Sequence, residues 1–96
     1  MATNLVSRTP RVVTSPDSTV QTGEVHITGF RLTTTPAVAG ACTVQDDNGN
    51  TVWKGVTTTN QGSDQTIFPF NSSITLAGHK VSAISGVNAE LEIYVI

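Results

Sequence analysis

The chain has 96 residues, five basic and seven acidic side chains, a formal net charge of −2, and 12% charged residues, about half the share usual in soluble domains. That length supports one hydrophobic core and no second domain. The charge balance excludes the Lys/Arg clusters that displace counterions from nucleic acid, and a single cysteine, Cys42, excludes an internal disulfide framework.

Apolar residues at 38% are enough to build the core. Thr and Ser supply about a quarter of the chain and Val is the commonest apolar type, which favours strands and turns because β-branched side chains fit a pleated surface and lose rotamer freedom in a helix. The opening MATNLVSRTPR lacks the apolar run of a signal peptide. No stretch approaches the ~18 apolar residues of a membrane span, so the expectation is a soluble protein made in a cytoplasm, with no membrane partner.

Residues 1–22 are interrupted by Pro10 and Pro16 and dense in Ser and Thr. Proline removes a ladder donor and holds its predecessor extended, so this segment is predicted to be an extended N-terminal arm with at most a short edge strand near Arg11–Thr14. The arm carries Arg8 and Arg11 against Asp17, whereas residues 23–96 carry three basic and six acidic side chains. A mildly basic arm on an acidic body can dock on its own domain or on an identical neighbour, and the neighbour is the expectation. Its candidate partner-binding residues are Leu5, Arg8, Arg11, Val12 and Val13.

In Gly23–Thr35, Val25 and Ile27 fall on one parity and Phe30 and Leu32 on the other, as a β-bulge centred on Gly29 would produce; Pro36 ends that strand. Ala41–Thr57 reads as a hairpin, because Asp47-Asn48-Gly49-Asn50 separates two runs rich in β-branched residues and Asn-Gly suits a type I′ turn. Alternation puts Cys42 and Val44 on one face, Val52 and Val56 on one face, and Trp53 opposite to the latter.

After a polar loop, Gln65–Phe70 is a strand that Pro69 confines to an edge. Asn71–Ser73 and Ala77-Gly78 are turns, and His79–Ile84 and Ala89–Ile96 form a closing pair around Ser85–Asn88. Leu91, Ile93 and Val95 face one way, and Glu90, Glu92 and Tyr94 the other. About seven or eight short antiparallel strands at this spacing predict an all-β chain, a single β-sandwich or jelly roll over residues 23–96.

The sequence offers no reaction chemistry. His26 and His79 lie on different strands with no further ligand at metal spacing. Asp46-Asp47-x-Gly49-Asn50 lacks the alternating acids and closing Glu of a calcium loop, and the turn already explains it. Glu90 and Glu92 share a strand face, but five aromatic residues cannot line the cleft a glycosidase needs. No Ser or Cys has a base partner and no glycine run cradles phosphate. The chain is therefore expected to be no enzyme and to use no cofactor and no metal. Cys42 reads as a small buried hydrophobe, and Trp53 as a core or arm contact with a candidate surface role, since Trp is enriched at interfaces.

Three segments, VHITGFRLTTT, TVQDDNGNTVW and QTIFPFNSSITLAGHKVSAISGVNAELEIYVI, together resemble the small β-sandwich virion proteins of tailed bacteriophages. The closing signature of that pattern falls on Val81, Ser85, Gly86, Ala89, Leu91, Ile93 and Tyr94. Val87-Asn88 departs from it, as does an arm longer and more proline-interrupted than the pattern needs.

The resemblance implies a capsid decoration or cement protein on the virion surface, assembled in the host cytoplasm. Its partners would be the major capsid protein and copies of itself, with a homo-oligomer, specifically a trimer, as the assembly. The alternative it leaves open is a tail or head-fibre appendage that binds host glycan on Trp53 or Tyr94. An accessory domain of a secreted enzyme is disfavoured by the missing signal peptide.

Overall fold

The computed structural model describes residues 11–68 and 72–95. These form seven strands: β1 (Arg11–Val13), β2 (Asp17–Thr33), β3 (Gly40–Asp46), β4 (Thr51–Thr57), β5 (Ser63–Ile67), β6 (Ile74–Ser85) and β7 (Glu90–Val95), with no helix among the described residues. They pair antiparallel in one open sheet of order β1-β7-β2-β6-β3-β4, with β5 also paired to β2. Of the expected arm, residues 1–10 lie outside the described residues, Arg11–Val13 is β1, and the boundary placed at residue 22 falls inside β2.

β2 is the spine. Its first part pairs with β6, from Asp17 opposite Val81 to Ile27 opposite Ile74. Its last part runs between β7 and β5, with Phe30 opposite both Ile93 and Thr66. The change of partner coincides with the predicted bulge: Ile27 faces Val95 and Gly29 faces Tyr94, so Thr28 is the extra residue. One inserted residue flips the later side chains, and Ile27, Phe30 and Leu32 all end up inside, at most 1% exposed. Val13, Cys42, Val44, Val81, Ala89, Leu91 and Ile93 complete the buried core.

The sheet curls so that β4 approaches β5. The Val56 N–H on β4 donates to Asp64 Oδ2 at 2.9 Å, and Trp53 Nε1 donates to Thr66 Oγ1 at 3.0 Å. Side chains of β5 thereby satisfy donors of β4 that no strand pairs.

Four local expectations are corrected. First, the β3–β4 turn is not type I′. Gly49 N–H donates to Asp46 O and Asp46 N–H to Asn50 O, and in this loop only Gly49 has positive φ, +86°. This is a type I turn followed by a left-handed glycine. Asp46 explains the difference: its carboxylate accepts from Asn48 N–H, Asn50 N–H and the Asn50 side-chain amide, fixing the loop one residue longer.

Second, the inner face of β4 is not Val52 and Val56. Val44 pairs with Trp53 and Gln45 with Thr51, leaving Val52 as an extra residue. The parity shift turns Trp53 toward the core with Gly55 and Thr57 and leaves Val56 56% exposed.

Third, Ala77-Gly78 is no turn, because β6 runs unbroken through it. Fourth, β6 and β7 do not pair, because β2 lies between them. Their connection crosses the end of the fold, tied by Asn88 Nδ2 to Thr35 O at 2.7 Å and by Thr35 N–H to Val87 O at 3.2 Å. The β5 strand ends at Ile67; Pro69, Phe70 and Asn71 of the expected strand and turn lie outside the described residues.

Candidate functional site

Leu5 and Arg8 lie outside the described residues. Arg11, Val12 and Val13 form β1 at the sheet margin, opposite Ile93, Glu92 and Leu91 of β7. Strand alternation splits them: Val13 is in the core, 7% exposed, while Val12 points outward, 51% exposed. Arg11 shares the inward side and crosses to β6, where its Nη1 lies 2.8 Å from Nε2 of buried His79. A guanidinium has donors only, so Nε2 accepts and the ring carries its proton on Nδ1. This charged hydrogen bond fastens β1 to the far side of the fold. Nothing in the sequence pointed to it, since the two residues are 68 positions apart.

Trp53 is held on two sides. Its ring stacks on Phe30, centroids 5.1 Å apart and planes 8° from parallel, while its N–H is taken by Thr66. Phe68 closes on Phe30 edge-on at 6.4 Å. The indole is a half-buried wall of the core whose Phe30 side is covered.

On the outer face, register aligns Val12, Glu92 and Arg31 across three strands. Tyr94 donates its hydroxyl to Glu92 Oε1 at 2.9 Å, and Arg31 Nη1 lies 3.9 Å from the same oxygen. Partial burial, then the bond to Glu92, pushes the Tyr94 hydroxyl above its ordinary value. Glu92 therefore shares its strand face with Tyr94, as alternation predicts, and the topology adds Arg31 from β2.

Cys42 and Asp46 serve the fold. Burial pushes the Cys42 thiol up to about 11, partly offset by the Gly55 backbone N–H, so the sulfur stays protonated and unreactive. Loop N–H groups, first that of Asn50, hold the Asp46 carboxyl below its ordinary value. His26 sits on an exposed face, 3.0 Å from Thr75 Oγ1 and 3.4 Å from Glu24. Among the described residues no three His, Cys, Asp or Glu side chains gather where they could hold a metal ion, and no helix is long and apolar enough to cross a membrane.

What the arrangement offers chemically is a contact surface: a short strand at an open margin, with an apolar residue facing out and a charged one anchored in. No protein-family model, curated protein or solved structure matches the chain.

Proposed function

We propose that the chain is a decoration or cement protein of a phage head, binding the head surface and bridging neighbouring capsid subunits through its N-terminal segment. The observation that carries this reading is the place of β1: the chain enters the body at the sheet margin with Val12 exposed, where an attached segment can reach a neighbour without disturbing the core. The low charge of the surface, 12% of residues, suits protein contact in a shell, because fewer ions have to be desolvated on binding.

In this proposal the curled sheet makes a two-layer body of the sandwich or jelly-roll kind, joined where Asp64 and Thr66 reach β4. A trimer, the major capsid protein as partner, the virion as location and the absence of enzymatic activity belong to the same proposal. The glycan-binding alternative draws less support, since Phe30 and Thr66 already engage the Trp53 indole.

The test is truncation at the right place. Removing residues 1–10 leaves β1 and β2 whole, so the protein should fold with an unchanged thermal transition and lose binding to purified heads. Full occupancy of heads by the truncated protein would refute the grip.

A further inference from the structure

The attachment of β1 differs from that of every other strand. It contributes three residues to the ladder, all to β7. Its three-residue link, Thr14–Pro16, leads to the start of β2, where Asp17 faces Val81 of β6, ten residues before β2 meets β7 at Ile27. Yet the contacts of β1 are specific: Val13 fills the core and Arg11 reaches buried His79 at 2.8 Å. A short segment with its own socket, tethered by a short link, is the arrangement that exchanges between identical chains. Pro16 favours this, because it stiffens the link and biases Ser15 toward the extended backbone an opened link requires.

We propose that β1 is an exchangeable strand: Arg11–Val13 of one chain leaves its own β7 and pairs with β7 of a second copy, placing its Arg11 on that copy's His79 and its Val13 in that copy's core. The closed and exchanged forms make the same three ladder pairs and share the anchoring contacts of Val13 and of Arg11 with His79. Their balance is then set by concentration, the closed strand competing as a tethered ligand at an effective concentration on the order of millimolar for a short link. Exchange is minor in dilute solution and favoured where copies stand side by side. A link of three residues spans about 10 Å, so the two copies must meet at the β1–β7 margin. Exchange between copies does not require head binding.

Val12 and Glu92 face each other across β1 and β7 on the outer side, and the native Cys42 is buried, so engineered cysteines can report the pairing. The double variant V12C/E92C, oxidised at low concentration, should close an internal disulfide; failure to do so would refute the β1–β7 register and the proposal with it.

For exchange itself, a V12C chain and an isotopically labelled E92C chain are unfolded together, refolded over a range of concentrations and oxidised. The expected product is a mixed disulfide joining one labelled and one unlabelled chain, its ratio to monomer rising roughly ten-fold for each ten-fold rise in concentration. V12C paired with T59C, at an exposed position in the loop between β4 and β5 with which β1 shares no ladder pair, sets the level of random collision. A V12C–E92C yield no higher than that control at every concentration would overturn the proposal.

Discussion

At the scale of single residues, two positions shape their surroundings. Asp46 converts the loop that Asn48-Gly49 would close as a two-residue turn into a longer one, by accepting three hydrogen bonds within five residues. These bonds need the ionised carboxylate and hold its pKa below the ordinary 3.8. A depressed carboxyl adds stability in full above its unfolded-state pKa and loses it as the pH falls through the folded one. D46N should therefore melt below the wild type at neutral pH, and the gap in thermal midpoint should narrow as the pH falls below the ordinary 3.8 and through the depressed folded-state pKa.

Gly55 shows the second effect. A Cβ there would stand 2.5 Å from Trp53 Cη2 and 3.2 Å from Cys42 Sγ, so G55A should cost about 1–3 kcal/mol in urea unfolding, the usual penalty for overpacking. The Trp53 emission should shift as the indole leaves Phe30.

Single elements show how little chain is needed to set a margin. β1 is three residues long, and its hold on the body comes from Val13 and from the bond of Arg11 to His79. R11M keeps the aliphatic stem and removes the charged donor. It should cost about 1.5–3 kcal/mol, the usual worth of a hydrogen bond to a charged group, read from the urea midpoint. It should also raise hydrogen exchange in β1 and the facing part of β7 more than in β3 and β4. An equal rise throughout would mean that β1 is not a separable element.

β2 teaches the opposite lesson about length. Seventeen residues serve two sets of partners because an extra residue at Thr28 turns the inward face over midway.

For the whole molecule, the pairings join residues far apart in sequence: Arg11 with Ile93, Asp17 with Val81, Ala41 with Ser85. Loop-closure entropy must be met before such contacts form, so refolding should take milliseconds to seconds, as Trp53 emission after stopped-flow dilution from urea can measure. A microsecond phase carrying the full amplitude would contradict the topology.

The sequence alone determined the all-β class, most strand positions, the bulge beside Gly29 and the buried faces of Leu91 and Ile93, because period-two alternation and turn residues act over a few positions. Only the tertiary structure decided which way Trp53 points, whether Ala77-Gly78 turns, and that β2 stands between β6 and β7. An extra residue such as Val52 reverses every later side chain, and it is set by register with a partner strand. The Arg11–His79 anchor and the approach of Arg31 to Glu92 depend on which strands become neighbours, and local sequence does not specify that choice.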